Sequence, residues 1–262
     1  MSSLAPELAP ELARAWIDRW DRQQEGYLPD REERFTAMID AVAAGTGRAD
    51  PLVLDLGTGP GSLGARLLDR LPAATVVAVD TDPVLLALGR AAYGDHAGLR
   101  FAEVDLRAPG WPEPLGLDRP LDAAVSTTAL HWLPEADLRA VYATVARLLR
   151  PGGLLINGDH FTVDDSPTLA GLERALVERA AARRFPGGPA EDWYAWWRAL
   201  EADPALAELA AERRRTWAPP EHHSTQSSRL DTHVAALRAA GFAEVGALWQ
   251  HGESRLLCAV RP

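Results

Sequence analysis

The stretch that decides the fold is Val53-Leu54-Asp55-Leu56-Gly57-Thr58-Gly59-Pro60-Gly61. It starts as an apolar run typical of a buried strand, and alternating glycines follow. Leucines with helical spacing come next, so a strand, a turn and a helix start succeed one another. Glycines allow a tight turn and a close approach to a ligand, and the free N–H groups of a helix start carry partial positive charge. The stretch therefore predicts a nucleotide-binding turn.

The composition is that of a globular protein of 262 residues, with 47% hydrophobic and 24% charged residues. This length suits one large domain or a domain with an insertion. The net charge of −10 argues against nucleic acid as a partner. The single cysteine, Cys258, excludes an intramolecular disulfide and a thiolate metal cluster. No apolar run is long enough to span a bilayer, and the N-terminus lacks a secretion-signal pattern, so we expect no membrane partner and a cytoplasmic location.

The chain alternates strands and helices over its central part. Strands are predicted at 52–56, 75–79, 99–103, 121–126 and 153–158, and helices at 61–71, 83–93 and 135–149. This alternation is typical of βαβ units and a parallel sheet. Two helices are predicted over 11–44, and residues 166–215 are mostly helical. A helix at 232–240 and a hairpin of 244–249 with 255–260 end the chain. A parallel sheet that ends in an antiparallel hairpin differs from the plain dinucleotide fold.

Polar residues follow the ends of the predicted strands. Asp80 ends the second strand, 21 residues after Gly59, where an acid can accept both ribose hydroxyls of a nucleotide. Asp105 follows the third strand, where a carboxylate can accept from an adenine amino group. Ser126 ends the fourth strand, and Leu148-Leu149-Arg150-Pro151-Gly152-Gly153 predicts a helix end and a turn before the fifth.

In their order and spacing these features resemble class I S-adenosylmethionine-dependent methyltransferases over about residues 30–160, and the terminal hairpin agrees. The resemblance implies an α/β fold with a seven-stranded, mostly parallel Rossmann-like sheet, an antiparallel C-terminal hairpin and a helical lid insertion. Residues 1–45 would form an N-terminal helical segment over the cofactor. Residues 46–160 and 231–262 would form the cofactor-binding domain, and 161–230 the lid or acceptor insertion.

The resemblance also implies S-adenosylmethionine as the cofactor and S-adenosylhomocysteine as its product. Gly57 and Gly59 would face the methionine portion, and Asp55 its amino group. Asp80 would hold the ribose. The remaining cofactor-binding candidates are Thr81, Asp105 and Leu106 around the adenine, Ser126, and Arg34 for the methionine carboxylate.

One alternative concerns the cofactor, because residues 59–64 also fit the dinucleotide pattern G-x-G-x-x-G. That pattern normally starts at the strand end, where this chain has Gly57 preceded by Asp55. A carboxylate there repels a pyrophosphate and attracts an ammonium group. The sign of the charge favours S-adenosylmethionine.

The run Ala129-Leu130-His131-Trp132-Leu133-Pro134-Glu135 follows the fourth strand, at the rim where acceptors enter. It resembles segments of small-molecule O-methyltransferases and of the trans-aconitate methyltransferase group. A neutral imidazole can deprotonate a hydroxyl during methyl transfer, so His131 is a candidate base and His160 a second one. The alternative is that His131 only lines the pocket or caps the next helix.

We expect methyl transfer to a small-molecule acceptor, with a hydroxyl of a bacterial metabolite or natural product favoured. Carboxyl, nitrogen or carbon acceptors remain alternatives, as does cofactor binding without transfer. No Asn-Pro-Pro-Tyr motif and no magnesium-binding acid set is found, so we expect neither base methylation of nucleic acid nor a metal. Tyr27, Trp132, Trp193 and Trp197 are substrate-binding candidates. The tryptophans of 193–197 fit core packing or a dimer face equally well, and a homodimer is left open.

Overall fold

The computed structural model describes residues 8–163, 165–216 and 228–262. Two helices open the described chain, α1 (Pro10–Tyr27) and α2 (Arg31–Thr46). Residues 28–30 separate them, in agreement with the two helices predicted over 11–44. Proline at the first turn begins α1, and Gly47 ends α2 in the left-handed conformation that glycine adopts without strain.

Seven strands form one sheet, and alternate with helices as predicted. The strands are β1 (Leu52–Leu56), β2 (Thr75–Asp80), β3 (Leu99–Glu103), β4 (Leu121–Thr127), β5 (Leu149–His160), β6 (Glu244–His251) and β7 (Ser254–Val260). Their order is β3-β2-β1-β4-β5-β7-β6. β7 pairs antiparallel with both β5 and β6, while the pairs among β1–β5 are parallel. This confirms the predicted seven-stranded, mostly parallel α/β sheet with an antiparallel C-terminal pair.

Seven further helices connect or follow the strands. They are α3 (Ser62–Arg70), α4 (Pro83–Ala92), α5 (Glu135–Leu148), α6 (Pro167–Arg184), α7 (Trp193–Ala202), α8 (Ala207–Thr216) and α9 (Leu230–Ala239). Two apolar cores fill the faces of the sheet, one beside α5 and α9 and the other beside α2 and α3. The sheet order reverses between β1 and β4, and in open α/β sheets ligands bind at the carboxyl ends of strands beside such a point.

One predicted turn differs from the structure. Residues 150–153 belong to β5, which is longer than the predicted strand. The register shifts between Leu121 and Ala123 on the neighbouring β4. Gly152 donates its N–H to the carbonyl of Arg261 at 2.9 Å, so pairing with the chain end extends the strand across the Pro-Gly-Gly sequence.

Helix α1 is tied to the glycine turn by ionic contacts. Asp21 accepts hydrogen bonds from Ser62 Oγ at 2.7 Å and Arg66 Nη2 at 2.9 Å, both on α3. Arg31 Nη2 lies 2.9 Å from the same carboxylate. Trp20 lies on the same helix, and a Cβ added to Gly59 would sit 3.8 Å from its ring. The contacts therefore hold α1 against the turn.

Candidate functional site

The glycine turn connects β1 to α3 with two residues in the left-handed region. Gly57 has φ +69° and Gly59 φ +57°, which side chains with a Cβ rarely adopt. The N–H groups of Gly57 and Thr58 donate to the carbonyl of Val79 at 2.9 and 3.0 Å. A Cβ on Gly57 would lie 2.3 Å from the Cβ of Ala129. Glycine is therefore required at Gly57 by both its conformation and its neighbour.

Asp55 lies at the end of β1, beneath this turn, and is 0% exposed. Thr58 Oγ1 donates to its Oδ2 at 2.6 Å, whereas its Oδ1 is buried with no hydrogen-bond partner. Burial raises the pKa of Asp55 to about 7; the Thr58 hydrogen bond opposes this rise and the nearby Asp80 adds to it. An unpaired buried acceptor is costly and fits a cationic donor. The site thus suits the ammonium group of the methionine portion of S-adenosylmethionine.

Asp80, at the end of β2, accepts three backbone hydrogen bonds. Its Oδ2 accepts from Gly59 N at 2.7 Å, and its Oδ1 from Thr81 N at 2.7 Å and Asp82 N at 3.0 Å. Burial raises the pKa of Asp80 despite these bonds. Since a carboxylate offers about four acceptor positions, one remains for a ligand hydroxyl. Asp80 orders the glycine turn, and its predicted contact with the ribose stays a prediction.

The other residues predicted to contact the cofactor lie at the same edge of the sheet, where they contact other groups of the protein. Asp105 holds Arg107 through two oxygens, with Nε at 2.9 Å from Oδ1 and Nη2 at 2.8 Å from Oδ2. Leu106 packs against the core beside α5. Ser126 is 1% exposed, and its hydroxyl donates to the carbonyl of Leu56 at 2.8 Å. The structure brings these residues to the predicted edge, and their cofactor contacts stay predictions.

His131 lies just beyond β4, in a short 3₁₀ turn over Leu130–Trp132. Its Nδ1 is 2.9 and 3.0 Å from the two carboxylate oxygens of Asp159, which is 1% exposed near the end of β5. Burial lowers the pKa of His131, but the charge and hydrogen bond of Asp159 outweigh burial, so the pKa is raised. Burial by itself would raise the pKa of Asp159, but the charge and hydrogen bond of His131 lower the pKa of Asp159 to about 2. The two side chains form a hydrogen-bonded pair in which Asp159 is buried and His131 is partly exposed.

His160, the second candidate base, has a different environment from His131. Its backbone N donates to Asp159 Oδ1 at 2.9 Å. Its Nδ1 lies 3.6 Å from Glu253 and has no hydrogen-bond partner. Burial lowers its pKa, and the charges of Arg34 and His131 lower it further against the attraction of Asp159. Neighbouring titratable groups with pKa values shifted in opposite directions are typical of acid–base sites.

Arg34 places a positive charge behind the His131–Asp159 pair. It is 0% exposed, and its Nη2 donates to Thr127 Oγ1 at 2.7 Å while Nε has no partner. Burial lowers its pKa to about 10, and the charge of Asp159 opposes this change. A Cβ on Gly158 would lie 3.2 Å from its Cδ, so glycine makes room for the arginine. Its predicted contact with the methionine carboxylate stays a prediction.

The predicted aromatic contacts fall into two groups. Trp132 lies beside His131, with ring centroids 5.4 Å apart, at the site itself. Trp197 is 8% exposed and packs with Trp193 at 5.7 Å and with Trp20 at 6.5 Å. The hydroxyl of the half-exposed Tyr27 accepts from the backbone N of Trp193 at 3.2 Å. The tryptophans of α7 thus pack onto α1, and an acceptor contact for them stays a prediction.

Asp159 is the site residue that sequence reasoning missed. It directly precedes His160, on the strand that pairs in parallel with β4 through Ser126–Asn157 and Thr127–Gly158. An acid at the end of the strand next to a candidate base is the signal that could have identified it. Thr128, with φ 48°, turns the chain after β4 and donates its N–H to the carbonyl of Gly158 at 2.8 Å. This turn sets the approach of His131 to Asp159.

Comparisons with known proteins agree with this geometry. Residues 53–153 match the family model of a methyltransferase domain. The trans-aconitate 2-methyltransferase of Azoarcus sp. (strain BH72) is 35% identical over 136 residues, which are 52% of this chain and 49% of that protein. The chain therefore spans about half the length of this curated relative.

Solved structures share the fold. An O-methyltransferase family protein from Burkholderia thailandensis superposes with a TM-score of 0.55 at 22% identity, covering 86% of this chain and 55% of that one. Magnesium protoporphyrin IX methyltransferase from Synechocystis PCC 6803, solved with bound SAH, superposes with a TM-score of 0.54 at 19% identity and covers 94% of both chains.

Residues 53–153 form a methyltransferase domain, and its glycine turn with Asp55 and the sheet topology are those that the resemblance to class I S-adenosylmethionine-dependent methyltransferases implies. The matched methyltransferase domain supports S-adenosylmethionine as the cofactor, as the sequence predicts. Within the described ranges, no helix is both long and apolar enough to cross a membrane.

Proposed function

We propose that the protein transfers a methyl group from S-adenosylmethionine to an oxygen of a small-molecule acceptor, with a hydroxyl group favoured. The observation that carries this proposal is the His131–Asp159 pair, with Nδ1 at 2.9 Å from the carboxylate, at the strand edge where Ala129 touches Gly57. A histidine oriented by a buried acid is the arrangement of a general base.

When bound, S-adenosylmethionine supplies an electrophilic methyl group. The residues proposed to hold it are Asp55, Asp80 and the N–H groups of the glycine turn. Asp159 accepts the Nδ1 proton of His131 and so makes Nε2 the atom that takes the acceptor proton. Trp132 beside the imidazole walls the acceptor pocket. Most of the rate enhancement comes from alignment of the acceptor, with removal of its proton adding about 10²–10⁴-fold.

A second candidate acceptor is a carboxylate. Two observations favour it. The chain is 35% identical over 136 residues to a trans-aconitate 2-methyltransferase, and the raised pKa of His131 keeps more of the imidazole cationic than usual. A cationic His131, backed by Arg34, attracts an anionic acceptor that needs no base. Both candidate functions use the same proposed domain roles: residues 1–45 cover the cofactor, and 161–230 form the acceptor side. Residues 1–7, 164 and 217–227 of these ranges lie outside the described residues.

The pH profile of methyl transfer distinguishes the two acceptors. Formation of S-adenosylhomocysteine is measured with a panel of hydroxyl- and carboxyl-bearing small molecules between pH 5 and 9. For a hydroxyl acceptor, kcat/KM rises with pH through the pKa of His131, because the neutral imidazole is the base. For a carboxylate acceptor, kcat/KM falls through the same pKa, because the imidazolium binds the substrate.

The matched variants are His131→Gln and His160→Gln. With a hydroxyl acceptor, His131→Gln is expected to lower kcat by about 10²–10⁴-fold and to leave cofactor affinity unchanged. His160→Gln tests the second candidate base, and a larger loss of kcat in this variant than in His131→Gln would assign the base to His160. Wild-type turnover by His131→Gln on a hydroxyl acceptor refutes the base. Tight cofactor binding with no turnover across the panel supports the binding-only alternative.

A further inference from the structure

Helix α6 presents an apolar stripe to solvent. Leu169, Leu172 and Leu176 are 59%, 58% and 51% exposed, and their spacing of three and four residues places them on one face. Other positions of the helix pack inward: Ala180 is buried, and Glu173 accepts a hydrogen bond from Gln250 at 3.1 Å. A contiguous exposed leucine face of this kind marks an interaction surface.

Opposite charges lie at the two ends of the stripe. Asp165, in the turn just before the helix, and Arg183, in its last turn, are both exposed and stand eighteen residues apart. By helical spacing, Arg183 lies on the same face as Leu172 and Leu176. Arg179 and Arg183 form no ion pair or hydrogen bond with any residue in the described ranges. The surface therefore runs from a negative end, across three leucines, to a positive end.

This pattern is complementary to itself when turned by 180°. About a two-fold axis at the level of residue 174, Leu172 opposes Leu176 of the partner subunit, and Asp165 opposes Arg183 of the partner subunit. Both pairs occur twice, as an isologous interface requires. Leu169 meets the aliphatic stem of Arg179 of the partner subunit, a contact that long basic side chains make readily. A parallel arrangement would instead put like charges together.

We infer that the leucine face of α6 binds α6 of a second copy of this chain, antiparallel, to form a homodimer. The leucines and the charges at both ends of the stripe belong to one segment. The partner that matches this surface in both apolar contacts and charge is therefore the same segment of a second copy. The inference is independent of the acceptor and of the role of His131.

Sedimentation equilibrium of the full chain tests this inference over about 1–100 µM, the range of moderate affinities. We expect a concentration-dependent mass that doubles from 28.3 kDa. Leu172→Glu puts a charge in the centre of the interface and is expected to raise the dimer Kd by about 100-fold. Tyr194→Glu is the matched control, because Tyr194 is 70% exposed on α7 and lies outside the stripe.

Charge reversal tests the antiparallel register. Asp165→Arg and Arg183→Asp each place like charges opposite one another and are expected to raise the dimer Kd by about tenfold. The double variant pairs them again and restores the Kd to within about threefold of wild type. These variants keep the leucines, and circular dichroism checks that each one folds.

Four results would overturn the inference. The first is a monomer at every concentration, and the second is a dimer whose Kd does not respond to the α6 substitutions. The third is a monomer that co-sediments with phosphatidylglycerol vesicles and loses that binding in Leu172→Glu, which would assign the stripe to a lipid surface. Failure of the double reversal to recover dimerisation refutes the antiparallel pairing itself.

Discussion

Replacing Asp159 by asparagine removes the charge from one half of the His131–Asp159 pair while keeping the size of the side chain. The pKa of Asp159 is about 2 against an ordinary 3.8, and such a depression corresponds to about 2 kcal/mol of stability. Because the folded-state pKa is the lower one, this stability is fully present above about pH 4 and is lost as the pH falls through about 2.

The other half of the pair sets the upper limit of the pH range. The pKa of His131 is raised in the folded state, so its contribution is present below about pH 6.5 and is lost as the pH rises through the folded pKa. The contributions of His131 and Asp159 describe one attraction between the two side chains, so its free energy is counted only once. We therefore expect Asp159→Asn to lower the free energy of unfolding most between about pH 4 and 6.5, by about 2 kcal/mol, and less on either side.

Urea unfolding at pH 5, 6 and 9 measures this difference. NMR titration of the imidazole protons gives the pKa of His131, whose signal is identified by its loss in His131→Gln. In Asp159→Asn that pKa should fall below the wild-type value, because burial and Arg34 then act against the imidazolium alone. Asp231→Asn is the control: Asp231 also has a lowered pKa, from its hydrogen bond to Arg229, but the pair lies at the surface and should matter little. A wild-type pKa of His131 at or below 6.5, or a stability loss equal at all three pH values, would refute the reasoning.

Two further predictions concern the cofactor turn. Asp55→Asn removes a buried carboxylate whose pKa is about 7. At pH 8 we expect thermal unfolding to show a free energy of unfolding that is higher by about 1–2 kcal/mol after the cost of the buried amide, and calorimetry to show weaker S-adenosylmethionine binding. Lower stability with unchanged affinity would contradict this. Gly57→Ala should destabilise by more than about 2 kcal/mol, because the new Cβ would sit 2.3 Å from that of Ala129 at φ +69°. Its control is Gly171→Ala on α6, where nothing lies within 4 Å and where alanine favours the helix, so equal losses in the two variants would count against the steric argument.

The fold was predictable because its signals are local. The strand before Gly57, the glycines themselves and Asp80 lie within 30 residues, and each follows from spacing and backbone preference. The C-terminal hairpin was equally readable, with Gly252 at its turn in the left-handed conformation. By contrast, the extension of β5 through Pro151 depends on hydrogen bonds to Arg261 at the far end of the chain, which no local pattern encodes.

The sequence allowed the site residues to be predicted, but not all of their hydrogen-bond partners. His131 and His160 were identified from their positions after two strands, but the pairing of His131 with Asp159 depends on the register between those strands. Arg34 was predicted to pair with the methionine carboxylate because it lies in the N-terminal helical segment. The structure instead encloses it, with Thr127 as its partner, since Gly158 leaves space for the guanidinium.

The contacts between α1 and the glycine turn have a kinetic consequence. Asp21 joins Ser62, Arg66 and Arg31, so α1 cannot lift from the turn without breaking several charged hydrogen bonds together. Guanidinium groups keep their charge at any pH at which the protein is folded, so alkaline conditions leave these contacts intact. On the proposal that residues 1–45 cover the cofactor, release of the cofactor would require these contacts to break together, so the opening rate of α1 would limit its residence time.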